Sequence, residues 1–365
     1  MSYWEGKRTF DRRELIKYVF IPLLIGGCGG SASSDNTLAS QPPTYPPKLS
    51  IKFGLGDDPE KLINGYDLDG LSVLNTLMPD IVCFWLNGAS DNAGRVYGES
   101  MNYIREWASK GRFSQWSNAG YELMLITWEN YDGQNPSLGQ PTYGNYHISE
   151  QFLIDLNEIL DIIKAQFKNK LYIALATEQS TYTACRFSQS CLHAIPYTDS
   201  INQHTIWYFS RLRENLLKAV DIIKAKGLNV EFGPCFGGWL VEFSEGINFI
   251  RFFDEVIARS NAVFFQSMFD KKPSENNGYG NPQRIMKNCE FFSSYRKPIH
   301  LAHYMPASQR SDVVFEDMSI MSNQSYLRRL YSLGLRSFSF MYYGLVKDNQ
   351  NRSLEALQNF RNMIK

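Results

Sequence analysis

Eight short apolar or β-branched runs, separated by longer amphipathic stretches, constrain this chain more than any other feature. The runs are 51–56, 81–87, 122–129, 171–178, 229–235, 262–269, 298–304 and 337–343, each short enough for a strand. Between and after them lie helical patterns such as 149–167, 205–226, 245–259, 282–295, 324–333 and 354–364. Phe152, Leu156, Ile159, Leu160 and Ile163 show the spacing of a helix with one buried face, and Gly227 and Gly334 stand where helix C-caps belong. Strand then helix, repeated eight times in a body of about 315 residues, predicts an α/β fold of the (β/α)8 TIM-barrel kind. An open doubly wound sheet would carry a glycine-rich phosphate loop after its first strand. Here Gly54-Leu55-Gly56-Asp57-Asp58-Pro59 lacks the third glycine and is acidic.

Charge excludes one class of partner. Lys plus Arg and Asp plus Glu balance at 37 each, which leaves no electrostatic footprint for nucleic acid. Aromatic residues make up 14% of the chain, a supply that suits a ring-lined cleft or carbohydrate stacking.

The first 49 residues read differently from the body. Arg12-Arg13 precedes an apolar stretch of about ten residues, from Tyr18 to Gly27, too short to span a bilayer, which takes roughly 20. It ends in Leu24-Ile25-Gly26-Gly27-Cys28, small residues before a cysteine. The segment resembles a bacterial lipoprotein signal with a twin-arginine translocation motif, although Asp11 and Leu15 stand where that motif more often has Ser or Thr and Phe. The resemblance implies residues 1–27 as signal peptide, Cys28 as the lipid attachment site and membrane association through that anchor. Residues 28–49, rich in Ser and Gly and then Pro, form a tether. Gly29, where Asp commonly retains lipoproteins in an inner membrane, implies outward sorting in an envelope. Residues 50–365 are the single barrel domain.

Five cysteines follow Cys28. Cys83 lies in an apolar run and reads as a buried thiol. Cys185 and Cys191 flank a polar loop and are candidates for a local disulfide in an oxidising compartment. Cys235 and Cys289 have no evident partner. No CxxC pair, Cys/His cluster or HxH on the first strand suggests a metal, and no cofactor is implied.

In such barrels the reactive side chains stand at the C-terminal ends of strands. Those positions give Asp57, Asp58, Asn87, Trp128-Glu129, Glu178-Gln179, Trp239, Asp270, His303-Tyr304 and Tyr342-Tyr343. Carboxylates and aromatic rings on one rim are what glycoside hydrolysis needs: one carboxyl to protonate the leaving oxygen, another to attack or activate water, and flat rings to hold sugars. Glu178, closing an apolar strand, is the candidate acid/base, with Glu129 or Asp270 as its partner. Trp85, Trp128, Trp239, His303, Tyr304 and Tyr343 are candidates for substrate binding. His300 and His303, three apart on a strand, are expected on opposite faces.

Leu125-Ile126-Thr127-Trp128-Glu129, followed by Tyr131-Asp132-Gly133 and Tyr143-Gly144-Asn145-Tyr146, resembles mannanase-type hydrolases of glycoside hydrolase family 26, in the retaining (β/α)8 clan. The resemblance implies an acid/base glutamate at the end of the fourth strand, which maps onto Glu178. It also implies a nucleophilic glutamate at the end of the seventh, where this chain reads His300-Leu301-Ala302-His303-Tyr304. Two functions follow as expectations: an envelope lipoprotein that hydrolyses a poly- or oligosaccharide, or a barrel of hydrolase ancestry that binds glycan without cleaving it. A purely structural envelope barrel is a third, and would show bulky residues plugging its top. Oligomeric state is not legible.

Overall fold

The computed structural model describes residues 49–56, 58–88, 99–129, 146–178, 201–202 and 205–365. Residues 1–48, with Cys28 and nearly all of the tether, lie outside the described residues, as do Asp57, Cys185 and Cys191. No helix among the described residues is long and apolar enough to cross a membrane.

Eight parallel strands close into a barrel in sequence order: β1 (Lys52–Leu55), β2 (Ile81–Gly88), β3 (Glu122–Glu129), β4 (Leu171–Thr177), β5 (Val230–Phe236), β6 (Val263–Ser267), β7 (Ile299–Tyr304) and β8 (Leu335–Phe340), the last pairing with the first. The expected (β/α)8 barrel is what forms. Around it run α1 (Pro59–Leu62), α2 (Leu68–Leu77), α3 (Glu99–Ser109), α4 (Arg112–Asn118), α5 (Glu150–Gln166) and α6 (Ile206–Lys226). The ring continues with α7 (Ser244–Phe252), α8 (Asp254–Arg259), α9 (Asn281–Phe292), α10 (Ser311–Met321), α11 (Gln324–Leu333) and α12 (Ser353–Ile364). The pattern over 245–259 is two helices, because Phe253 leaves helical geometry at φ −100°, ψ 14°. Gly227 and Gly334 do cap α6 and α11, at φ 64° and 113°, where a Cβ would be strained.

Alternation sorts side chains between two cores. Outward residues such as Leu123, Leu125, Ile173, Phe265, Leu301 and Phe338 pack under the helices. Inward residues Ile81, Cys83, Met124, Ala174, Cys235, Ala262, Phe264 and Ala302 fill the barrel. Its floor is ionic. Lys52 pairs with Glu122 at 3.3 Å, Tyr172 donates its hydroxyl to Glu122, and Lys170 and His300 both hold Glu231.

The strict two-residue period breaks on β7. His300 faces inward, donating from Nε2 to Glu231 Oε2 at 2.6 Å and stacking on Phe264. His303 also faces inward, its ring 4.9 Å from Trp85 on the far side of the barrel. The pairing of β7 with both neighbours shifts register between Leu301 and Tyr304, so an extra residue bulges there. The expectation that the two histidines face opposite ways is therefore corrected: the bulge turns His303 back into the barrel, one inward layer above His300, level with Gln266 where His300 is level with Phe264.

Candidate functional site at the barrel mouth

Glu178 stands immediately after β4, at the C-terminal mouth. The backbone that carries it is unusual. Ala176 and Glu178 both adopt left-handed φ, 54° and 61°, which non-glycine residues avoid. The pairing of β3 with β4 shifts register between Ile126 and Trp128, marking a second bulge. Thr127 secures it: the Ala176 N–H donates to Thr127 Oγ1 at 2.7 Å, and Thr127 in turn bonds His147 Nε2 at 3.0 Å. Asn215 on α6 then donates to the His147 carbonyl at 2.7 Å. A chain of buried polar groups thus runs from the outer helices to the turn that aims Glu178.

The carboxylate accepts two side-chain N–H groups. Trp128 Nε1 donates to Oε2 at 3.2 Å, and Gln266 Nε2 donates to Oε1 at 2.9 Å. Gln266 comes from β6, so this bond spans β5 and ties two next-nearest strands together at the mouth. The same amide nitrogen lies 3.1 Å from His303 Nδ1. Trp85 and Trp128, both half-buried, meet edge to face at 6.1 Å beside this cluster. Burial pulls the His303 ring down to about 3, so it is neutral.

The other candidates are spread more widely. Glu129 closes β3 in register with Gly88; its side chain lies outside the described residues. Trp128 pairs with Thr177, so the backbones of Glu129 and Glu178 leave adjacent strands at the same height. Asp270 accepts the Ser308 N–H at 2.5 Å, clipping the loop after β6 to the loop after β7. The neighbouring Lys272 pairs with Glu275 and Asp312 rather than with Asp270. Trp239 is half-buried, and its ring occupies the space over Gly237, where a Cβ would lie 2.5 Å from it.

Two aromatic candidates are corrected. Tyr304 is fully buried and faces the helix layer, giving its hydroxyl to Asp317 on α10 at 2.8 Å; no face is left for a sugar. Tyr343 is 5% exposed, packs against Gly70 and donates its hydroxyl to Asp67, the N-cap of α2. Both are structural because each hydroxyl has a carboxylate partner inside the fold.

Gln266 escaped notice in the sequence, although a glutamine inside the apolar run 262–269 is a readable signal: buried polar groups need partners. No group of three or more potential metal ligands occurs among the described residues.

No family model matches the chain, and no curated protein matches it. Among solved structures, a β-glucosidase mutant derived from a hyperthermophilic tetrameric structure superposes with a TM-score of 0.52 at 9% identity, covering 88% of this chain and 96% of that one. A broad-specificity GH5-4 endoglucanase from an uncultured bacterium gives 0.49 at 10% identity, over 86% of this chain and 94% of the other. The family 26 endo-β-1,4-mannanase of Cellulomonas fimi gives 0.46 at 11%, over 80% and 65%. These neighbours are glycoside hydrolases, and at such identities the likeness is one of barrel fold.

Proposed function

We propose that this chain is a glycoside hydrolase-type barrel acting on a poly- or oligosaccharide, with Glu178 at the scissile bond and an N-terminal lipid anchor at Cys28 holding it in a bacterial envelope. The observation that supports this reading is the Glu178 carboxyl itself. It is set by two left-handed residues at the mouth, oriented by Trp128 and Gln266, and flanked by half-buried indole rings. Backbone held in such conformations is costly, on the order of 1–3 kcal/mol per residue, and clusters at functional sites.

In this reading Glu178 delivers a proton to the leaving glycosidic oxygen, and the Trp128 and Gln266 N–H groups fix the carboxyl plane during the transfer. Glu129, at the same height on the adjacent strand, is the partner that activates water or attacks the anomeric carbon. Trp85 and Trp128 supply ring faces to the sugar.

The test is reducing-sugar release by the full chain from β-mannans, β-glucans and bacterial exopolysaccharides, beside Glu178→Gln and Glu129→Gln. Release by the wild type that falls by about 100-fold or more in each variant supports hydrolysis by this pair. A second reading, glycan binding without cleavage, has its own observation. The end of β7, where the resemblance implies a nucleophile, carries neutral His303, and Asp270 is engaged by the Ser308 backbone. Retention on immobilised glycan with no release from any substrate would establish that reading instead.

A further inference from the structure

Gln266 Nε2 has two hydrogens and three acceptors in reach: Glu178 Oε1 at 2.9 Å, His303 Nδ1 at 3.1 Å and the weakly accepting Met268 Sδ at 3.7 Å, of which the first two are the stronger. This network assigns two orientations. The Gln266 carbonyl points away from Glu178, because the amide nitrogen is the atom that faces Oε1. The His303 ring must carry its proton on Nε2, because Nδ1 is accepting. A doubly protonated ring would have no lone pair to offer Gln266.

The oriented chain Glu178–Gln266–His303 has two loose ends. Gln266 Oε1 is an acceptor and His303 Nε2–H a donor; both are buried, and neither has a hydrogen-bond partner. Each such group costs about 1–3 kcal/mol while unpaired. Trp85 lies over His303, tilted 40° with ring centres 4.9 Å apart, and is itself half-buried.

We propose that Gln266 and His303 form a recognition pair for hydroxyl groups of an uncharged sugar, reached when the Trp85 ring swings off His303. The proposal rests on the glycan reading above and narrows it to a substrate class. A sugar hydroxyl is both donor and acceptor, so it offers a lone pair to His303 Nε2–H and a proton to Gln266 Oε1. A uronate or sulfate would instead bring negative charge to a carboxylate, a carbonyl oxygen and a neutral ring, with no cation in the hydrogen-bonded chain. With Nδ1 accepting and Nε2 protonated, His303 is also neither nucleophile nor base as it stands.

Two measurements on the full chain test this. Nitrogen NMR of the imidazoles, with the His303 signal assigned by its absence in His303→Gln, is expected to show a neutral Nε2–H ring between pH 5 and 8. Tryptophan fluorescence titrations with mannohexaose, cellohexaose, xylohexaose and hexagalacturonate are expected to show binding of at least one neutral hexaose and none of the uronate. His303→Phe should weaken that binding by about 10- to 100-fold, the equivalent of one unmade buried hydrogen bond. His303→Gln, which still offers an N–H, should stay within about tenfold of wild type. Should His303→Phe not fold, displacement of the wild-type Nε2–H resonance by the bound hexaose carries the same test. A charged ring, an Nδ1–H tautomer, equal binding by wild type and folded His303→Phe, or preference for hexagalacturonate would overturn the proposal and leave the glycan reading standing. Absence of binding to all four sugars would overturn both.

Discussion

Asp317 has a chemistry set wholly by its surroundings. It is buried on α10, where one oxygen accepts from Asn281 Nδ2 at 2.7 Å and from Tyr304 at 2.8 Å, while Oδ1 has no partner. Burial pushes the carboxyl up to about 7 despite those bonds. The sign follows from linkage. The folded state holds this proton more tightly than the unfolded chain, so stability falls as pH rises from about 4 through about 7, by at most about 1.4 kcal/mol per unit. Asp317→Asn is expected to abolish that decline and to be more stable than wild type at pH 8. Urea midpoints at pH 4, 6 and 8 read this out, and parallel profiles for the two proteins would refute it. The residue was legible in principle. Val313, Val314, Asp317, Met318 and Met321 fall on one helical stripe, and a carboxylate on an apolar stripe requires buried partners. Glu178 was legible for the opposite reason, as an acid closing an apolar strand. Gln266 as its partner was not, because that bond joins residues 88 apart in sequence over an intervening strand.

At the level of elements, periodicity located all eight strands but not the bulges on β4 and β7, nor the further register shift between β7 and β8 at Ile299/His300. A bulge is one residue of slippage between neighbouring strands, and nothing in the local pattern of 298–304 or 171–178 distinguishes it from regular alternation. Regular alternation therefore puts His300 and His303 on opposite faces, the reverse of what the bulge produces. Helix ends were better encoded where glycine or an Asx cap stands, as at Gly227, Gly334 and Asn323. The end of α2 is an exception. Met78 takes the left-handed C-cap at φ 45° with its side chain exposed. Met78→Gly would keep the cap, remove the strain and sacrifice no buried contact. A gain of about 1 kcal/mol is expected, roughly 2 °C in thermal midpoint for a domain this size. An unchanged or lower midpoint would contradict this account.

For the whole molecule, the ionic floor works against Asp317 in its dependence on acid. Burial alone would raise Glu231, but the His300 N–H and the Lys170 ammonium hold it down at about 2. Its contribution is present above about 4.5 and is lost as pH falls toward 2. Glu231→Gln should lower stability at pH 7 by about 2 kcal/mol, a reduced figure because Lys170 is partly exposed, and should blunt unfolding between pH 4 and 2. Calorimetry at pH 3 and pH 7 checks both parts; a variant as stable as wild type at pH 7 would remove the floor from the account of stability. The lipid anchor is a prediction on the same scale. In a bacterial host, wild type should sediment with membranes and Cys28→Ser should not; identical fractionation would remove Cys28 from the proposal.

The β7 bulge makes the identity of the residue at the mouth a question of strand length as well as residue type. Deleting Ala302 would restore the regular period with His300 and His303 facing the barrel and Leu301 and Tyr304 facing the helices, and would draw His303 down the strand to the height that Ala302 now holds. One codon lost or gained in this strand therefore changes the height at which His303 stands, and with it the contacts to Gln266 and Trp85, while β1 to β6 stay unchanged. Within such barrels, insertions inside a strand offer a route to new binding chemistry separate from the rim loops, and an ungapped alignment through this strand would pair the wrong residues.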